Sequence, residues 1–118
     1  MARYEAECAA LAAQLAAIRF VWPGTIQWRM MTCGKPACAC HADPSMRHGP
    51  YPYWTSKKAQ KTVSILLNKD EASVYEDWIA NRRRLEKIVE QIKRLSRKAA
   101  KAALRLQARR GAEERGEV

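Results

Sequence analysis

The segment that decides the fold reads Cys33-Gly34-Lys35-Pro36-Ala37-Cys38-Ala39-Cys40, and two histidines follow it, His41 and His48. Three thiols and one imidazole this close along the chain can converge on one point, which is the donor set of a structural zinc site. Because glycine and proline allow the chain to turn here, Cys33 and Cys38 can face each other. We therefore predict that the three cysteines bind Zn²⁺, with either His41 or His48 as the fourth ligand. The alternatives are reduced cysteines without a metal, or redox chemistry.

The residues around this segment predict a small antiparallel sheet. From Thr25 to Met30 polar and apolar side chains alternate, as in a half-buried strand. Two more strands are predicted over residues 51–55 and 62–67, joined by a polar tip at 56–61 that lacks the Asn-Gly signal of a tight hairpin. Region 24–67 is thus predicted to be a zinc-binding β-region, a three-stranded antiparallel sheet that the metal clips together.

A helix is predicted in the N-terminal region, over residues 1–21. Its apolar side chains recur in steps of four and three and so form one stripe, which consists of Tyr4, Cys8, Leu11, Leu15 and Ile18. Cys8 is expected to be an ordinary core residue. The sequence Trp22-Pro23-Gly24 is expected to end the helix, because proline disfavours helical geometry in the residue before it.

A long basic helix is predicted over residues 68–110, and a disordered tail over 111–118. Asn68 and Glu71 have the spacing of a capping box, and no proline or glycine follows before Gly111. The apolar residues repeat every seven positions, as in a coiled coil, and the two seams contain Trp78, Leu85, Ile92, Ala99 and Leu106, and Val74, Asn81, Ile88, Leu95 and Ala102. Asn81 is expected to set the register against a partner. That partner is the N-terminal helix, a second copy of the chain, or both, and a homodimer is favoured.

These elements predict an α+β fold: an N-terminal helix, a small zinc-clipped three-stranded antiparallel sheet, and a long basic C-terminal coiled-coil helix. A length of 118 residues is typical of one small domain. No apolar run approaches the ~20 residues that a bilayer-spanning helix needs, and no secretory signal is evident. We expect a cytoplasmic protein that does not bind membranes, because clustered thiols stay reduced there and more often bind metal than form disulfides.

The positive charge is concentrated in the predicted long helix. The net charge is +10, and residues 81–110 contain twelve Lys and Arg against two glutamates. This imbalance exceeds what i,i+4 ion pairs can use, and it favours a polyanionic partner over the alternative of a merely solvated helix face. We predict that nucleic acid, DNA before RNA, is bound by Lys57, Lys58, Lys61, Arg82, Arg83, Arg84, Lys87, Arg94, Arg97, Lys98, Lys101 and Arg105.

The aromatic residues are assigned mainly to packing. Tyr51, Tyr53 and Trp54 could stack on unpaired bases, but core positions are favoured because a domain this small needs its aromatic side chains inside. Packing is also the assignment for Trp22, Trp28 and Trp78. No catalytic constellation is evident, and a zinc ion with four protein ligands has no open position for water. The chain is therefore predicted not to be an enzyme.

Three motifs resemble one family of small bacterial, archaeal and phage proteins that is catalogued as a domain of unknown function. They are the CGKxxCxC segment at 33–40, the HGPYxYxx segment that begins at His48, and the WIxNxRRL-like helix start at Trp78. The resemblance covers residues 24 to about 95. It favours His48 over His41 as the fourth zinc ligand, because His48 stands in the second motif. Some relatives lie among mobile-element genes, which implies an accessory role in DNA transactions.

We therefore predict a non-enzymatic accessory or regulatory protein that binds DNA and has a structural zinc site, in a mobile genetic element or recombination system. The competing hypothesis is a coiled-coil adaptor that docks onto a larger recombinase- or transposase-type enzyme, with the basic face against an acidic partner. Binding to random duplex DNA at low salt distinguishes the two hypotheses.

Overall fold

The computed structural model describes residues 1–116. In chain order it contains α1 (Ala2–Ala16), β1 (Thr25–Met31), β2 (His48–Lys58), β3 (Lys61–Leu66) and α2 (Lys69–Glu114), with short 3₁₀ helices at Ala39–His41 and Pro44–Met46. The predicted α+β order of helix, three-stranded antiparallel sheet and long helix is confirmed. The chain divides into two compact units: unit 1 contains residues 1–19 and the chain from 83 onward, and unit 2 contains residues 20–82.

The sheet of unit 2 has the order β1-β2-β3, with both pairs antiparallel. Its central strand, β2, pairs with β1 through Trp28 and Pro52 and with β3 through Trp54 and Ile65. The turn between β2 and β3 is Ala59–Gln60, and both residues have positive φ, 51° and 66°. This two-residue turn has the φ signs of a type I′ hairpin. The broad polar tip predicted at 56–61 is therefore wrong, because two residues other than glycine take the left-handed geometry.

An aromatic cluster forms the core of unit 2 around Trp22. Its ring centroid lies 6.0 Å from that of Trp54, 5.1 Å from Tyr75 and 6.1 Å from Trp78, and Phe20 lies 5.0 Å from Trp78. These rings join the sheet to the first turns of α2, so the packing predicted for three of the four tryptophans agrees with the structure.

The same cluster explains why α1 ends at Ala16 and not at residue 21 as predicted. Phe20 and Trp22 both contact Trp78. Side chains two positions apart share a face in extended chain but not in a helix. The backbone N–H of Trp22 also donates to the carbonyl of Trp78 at 3.2 Å. The segment before Pro23 is therefore extended because aromatic packing in unit 2 favours that geometry.

Trp28 does not pack in the core, contrary to the prediction. Its side chain is 47% exposed, Met30 is 45% exposed, and the indole N–H of Trp28 donates to Glu76 Oε1 at 3.0 Å. β1 is an edge strand, and its register with β2 shifts between Arg29 and Met31. Trp28 precedes this shift and pairs regularly with Pro52, so the alternation expected from Thr25 is interrupted only beyond Arg29. As part of an edge strand, Trp28 has a neighbouring strand on one side only.

The capping box at the start of α2 is confirmed. The N–H of Glu71 donates to Asn68 Oδ1 at 2.8 Å, and the N–H of Asn68 donates to Glu71 Oε1 at 3.1 Å. α2 has 46 residues, or about 69 Å at 1.5 Å each. It continues through Gly111 to Glu114, so the disordered tail predicted for 111–118 is wrong over 111–114, and residues 117–118 lie outside the described chain. Among residues 1–116, no helix is both long and apolar enough to cross a membrane.

The predicted heptad seams do not describe the first turns of α2. In the part of α2 that belongs to unit 2, the buried residues are Ala72 and Ile79, at 1% and 3% exposure, whereas the seam residue Val74 is 44% exposed. Asn81 was expected to set a coiled-coil register, but its side-chain amide donates to the carbonyl of Phe20 at 2.8 Å. Packing against the aromatic cluster, and not a second helix, selects the buried residues here.

In unit 1, α1 lies antiparallel to α2. Three grooves are lined by residues of both segments: Met1 lies opposite Leu106, Leu11 opposite Leu95, and Ala17 opposite Ile88. As the residue number rises along the N-terminal segment, the number of its partner in α2 falls, which is the antiparallel order. The five residues of the predicted α1 stripe, Cys8 included, are the ones that are half-buried in residues 1–19. Ile88 and Leu95 of α2 are buried at 6% and 9% exposure. The N-terminal helix is thus one partner of the long helix.

Candidate metal centre and basic surfaces

Strand pairing places the histidine of the candidate metal centre next to its first cysteine. Cys33 follows the end of β1 by two residues, and His48 is the first residue of β2. Met31 at the end of β1 pairs with His48 in the antiparallel register. Both residues are therefore held at the same end of the sheet by the backbone hydrogen bonds of β1 and β2.

The loop between the two strands brings in the other two cysteines. The N–H of Cys38 donates to the carbonyl of Lys35 at 3.1 Å, which closes the turn that Gly34 and Pro36 favour. Cys40 lies in the short helix Ala39–His41 and is 2% exposed. The turn, followed by the 3₁₀ helix, directs the thiols of Cys38 and Cys40 toward Cys33.

A second turn in the loop is fixed by Asp43. Its Oδ1 atom accepts hydrogen bonds from the N–H of Ser45 at 3.0 Å and from the Ser45 hydroxyl at 2.8 Å. These bonds, the hydroxyl first, lower the pKa of the Asp43 carboxyl. The carboxylate stabilises the start of the helix Pro44–Met46 and so shapes the return of the chain to His48.

The distances in the cluster fit a tetrahedral metal ion. One donor atom from each of Cys33, Cys38, Cys40 and His48 lies within 4.8 Å of every other. The Sγ atoms of Cys33 and Cys40 are 3.6 Å apart, and Cys38 Sγ is 3.5 Å from His48 Nε2. Around a tetrahedral ion with Zn–S near 2.3 Å and Zn–N near 2.05 Å, these edges would be about 3.8 and 3.6 Å. The four predicted ligands could therefore hold a metal ion.

The protonation of the thiols is uneven in the metal-free cluster. The N–H of Cys40, then the His48 imidazole and the neighbouring thiols, lower the pKa of Cys38 to about 6. For Cys40 the N–H of Cys33 is the largest influence and favours the thiolate. Burial and the adjacent thiols outweigh it, and the pKa of Cys40 is raised. The cluster is electron-rich, and a cation at its centre would stabilise the additional thiolate charge.

Gly49 allows His48 to reach the cluster. It has φ +125°, and a Cβ atom there would lie 2.8 Å from the carbonyl oxygen of Arg29 in β1. A side chain at this position would therefore push β2 away from β1 next to the metal ligand. Gly34, in the loop that precedes β2, offers a contrast, because a Cβ atom there would meet nothing within 4 Å.

His41 is not among the converging ligands, which resolves the choice between the two histidines in favour of His48. Cys8 lies in α1, outside unit 2, and is a free half-buried thiol. The sequence contained all four ligands as a visible motif. It did not indicate the supporting residues Asp43 and Gly49, although an Asp-x-Ser pattern and a glycine before proline are both turn signals.

The basic residues of unit 1 include one continuous row, here called the α2 basic stripe. Its six members follow one another in steps of four, seven, four, three and four residues, and all are exposed: Arg83, Lys87, Arg94, Lys98, Lys101 and Arg105. At 100° per residue they lie within about 60° of one another around the helix, and they span about 33 Å. Only Arg94 pairs with a carboxylate of residues 1–116, Glu90 at 3.8 Å. The stripe is therefore largely uncompensated.

The other predicted nucleic-acid residues are placed differently. Arg84 and Arg97 are exposed on α2 outside the stripe, and Lys57, Lys58 and Lys61 are exposed around the β2–β3 turn of unit 2. Arg82 does not belong with them. Its guanidinium donates to the carbonyls of Trp22 and Gly24, each at 2.9 Å. Arg82 therefore stabilises the packing of unit 2, and its guanidinium is less available to a phosphate than the exposed cations are.

The fold and the site together define a class: a small α+β protein in which a Cys₃His cluster closes the loop between the first two strands of a three-stranded sheet. The chain belongs to the family described as Domain of unknown function (DUF6788), which matches residues 1–76. The resemblance to an uncharacterised family is thereby confirmed. The match includes the N-terminal helix, and it ends before the motif at Trp78. No curated protein and no solved structure matches the chain.

Proposed function

We propose that this chain is a non-enzymatic DNA-binding protein, in which a structural Zn²⁺ ion holds the loop of unit 2 and α2 contacts the phosphate backbone. The single observation that carries the proposal is the α2 basic stripe. Six exposed cations in a row of about 33 Å are comparable in length to one turn of B-DNA, about 34–36 Å. We infer an accessory or regulatory role in DNA transactions, such as those of a mobile element.

Zinc is the metal proposed for the cluster because of its donor set. Three thiolates and one imidazole are soft and borderline ligands, which select Zn²⁺ over the oxygen-seeking Mg²⁺ and Ca²⁺. Four protein ligands fill a tetrahedral shell, so the ion would have no position for a water or substrate. This supports a structural ion and a non-enzymatic protein. Free thiols in a metal-binding arrangement also favour a reducing compartment such as the cytoplasm.

The hairpin lysines provide a second cationic point. Lys58 and Lys61 are paired directly across the β2–β3 turn, and like charges in that position repel each other. Lys57 adds a third exposed cation on the next position of β2. An anion bound at the turn would relieve this repulsion, and a phosphate group is the anion that fits the proposed function.

A homodimer through α2 stays a prediction, but the residues that contact the second copy must be other than the predicted heptad seams. Ile88 and Leu95 are already buried within unit 1. Leu104 and Leu106, at 64% and 42% exposure, are the large apolar side chains that α1 leaves accessible near the end of α2. We propose that a second copy contacts α2 at Leu104, which would lose exposed apolar area there. Leu106, two positions further along, lies on a different face of the helix and lines a groove with Met1.

Binding of a labelled random-sequence duplex DNA over a salt series tests the proposed function. Phosphate contacts release counterions, so the affinity should fall steeply as the salt concentration rises. A parallel series with duplex RNA establishes whether DNA is preferred. Failure to bind either duplex at low salt would leave the adaptor hypothesis, with a recombinase-type protein as the partner of the basic face.

A further inference from the structure

One face of the sheet in unit 2 has no role in the core. Residues paired across the strands share a face, and the register places Gln27, Tyr53 and Leu66 on one side together with Arg29 and Tyr51. Trp54, which contacts Trp22 and Tyr75 in the aromatic cluster, points to the other side. Leu66 is 56% exposed and Tyr51 is 41% exposed. We call the side that carries Arg29, Tyr51 and Tyr53 the open sheet face.

Arg29 is held on the open sheet face by contacts with neighbouring side chains. Its guanidinium carbon lies 4.7 Å from the centroid of the Tyr53 ring. Two of its nitrogens donate to Gln27 Oε1, at 3.1 and 2.6 Å, and Ser64 Oγ is 3.5 Å away. Arg29 forms no ion pair with any carboxylate in residues 1–116. The cation is thus positioned by neutral neighbours, and its charge is not compensated.

The charge of the strands is of one sign. β1, β2 and β3 contain no Asp or Glu, and they contain Arg29, Lys57, Lys58 and Lys61. Of these, Lys57 has the parity of Tyr51 and Tyr53 along β2 and so lies on the open sheet face. The rest of this face consists of hydroxyl and amide side chains together with the exposed Leu66. It therefore combines two tyrosine rings, a planar guanidinium and a second cation with uncharged hydrogen-bonding groups.

We propose that the open sheet face binds an unpaired strand of nucleic acid, a proposal that rests on the proposed nucleic-acid function and names its substrate more closely. Bases that are not in a duplex expose their faces and stack on aromatic rings and on guanidinium planes. Tyr51 and Arg29 would each support one base, and Lys57 would contact a phosphate. A second copy of the chain fits this face poorly, because it would bring the same cations together.

A comparison of single-stranded and duplex binding tests this proposal. The probes are a labelled oligo(dT), which has no duplex structure, an oligo(U) of the same length, and a random duplex DNA. Replacing Tyr51 by Ala should weaken oligo(dT) binding by about tenfold, the cost of one stacked base, and leave duplex binding within about twofold. Tyr51→Phe retains the ring and should bind oligo(dT) like the unchanged protein. Arg29→Lys retains the charge but not the plane, and should weaken oligo(dT) binding with little change in salt dependence.

The outcomes separate this proposal from the proposed function. If Tyr51→Ala and Arg29→Lys both bind oligo(dT) and oligo(U) as tightly as the unchanged protein, the open sheet face is not the binding site and the proposal is overturned. If the protein binds duplex DNA but neither single-stranded probe, the open-sheet-face proposal is overturned and the proposed duplex-binding function is retained. Single-strand binding that depends on Tyr51, without duplex binding, would support this inference and contradict the role given to α2. The oligo(U) arm supports the proposal if it shows the same dependence on Tyr51.

Discussion

The Nε2 atom of His48 lies 3.5 Å from the Sγ atom of Cys38, although ten residues separate the two along the chain. His48 is fixed by strand pairing at the start of β2, whereas Cys38 belongs to a loop whose residues are mostly exposed. A metal ion between them would therefore tie the loop to the sheet. Since unit 2 has a small core, we expect this tie to stabilise it substantially.

Replacement of His48 by Ala should abolish stoichiometric metal binding, because three thiolates alone leave the shell open. Replacement of His41 by Ala is the matched control, since His41 lies in the same loop but outside the cluster. Metal analysis by mass spectrometry of protein purified without added zinc should give about one equivalent of zinc per chain for the unchanged protein and for His41→Ala. Equal loss of metal in both variants would contradict the ligand assignment.

Gly49→Ala should lower the thermal stability and the metal affinity together. Its Cβ atom would lie 2.8 Å from the Arg29 carbonyl oxygen at a φ of +125°, which costs of order 1–3 kcal/mol. Gly34→Ala introduces the same methyl group into open space in the loop that precedes β2. Thermal unfolding with and without a chelator should therefore distinguish the two, and similar curves for both variants would show that Gly49 does not position His48.

Metal binding should release protons and weaken as the pH falls. At pH 7 the raised pKa of Cys40 keeps its thiol protonated in the metal-free protein, so the ion must displace at least that proton. Cys38, with a pKa of about 6, is already a thiolate at pH 7 but becomes protonated below pH 6. Protons then compete at a second ligand, and the affinity should fall more steeply. Calorimetric titration in buffers of different ionisation enthalpy measures the released protons; zero release at pH 7 would contradict the protonation described for Cys40.

Light scattering should give twice the chain mass of 13.4 kDa if a second copy covers the end of α2. Charge repulsion and the loss of apolar area should make Leu104→Glu a monomer. Val74→Glu is a suitable control, because Val74 is also exposed, at 44%, but lies in the first turns of α2. A monomer for the unchanged protein would exclude the homodimer.

Local sequence patterns predicted much of this molecule because their causes are local. The capping box of Asn68 and Glu71, the α1 stripe and the four metal ligands each depend on residues close together in the chain. The family resemblance then favoured His48 over His41, which spacing alone left open. Features of this kind can be predicted without knowing the tertiary structure.

The features that the sequence did not predict depend on contacts between distant residues. Arg82 looks like any other residue of a basic run, and only the positions of the Trp22 and Gly24 carbonyls show that its half-buried guanidinium is used in packing unit 2. The early end of α1 likewise results from packing around the aromatic cluster, and the exposure of Trp28 follows from its place on an edge strand. No periodicity in the sequence encodes these contacts.

The most direct test of the central claim is the salt dependence of binding to random duplex DNA. If the six cations of the α2 basic stripe contact phosphates, a plot of log K against log salt concentration should have a slope of about −5. The triple variant Lys98→Gln, Lys101→Gln and Arg105→Gln removes half of them and should give a slope of about −3. A control of equal charge, Arg19→Gln, Arg47→Gln and Lys69→Gln, changes exposed residues outside the stripe and should retain the original slope. Equal slopes for the two triple variants, or no binding by the unchanged protein at low salt, would contradict the account.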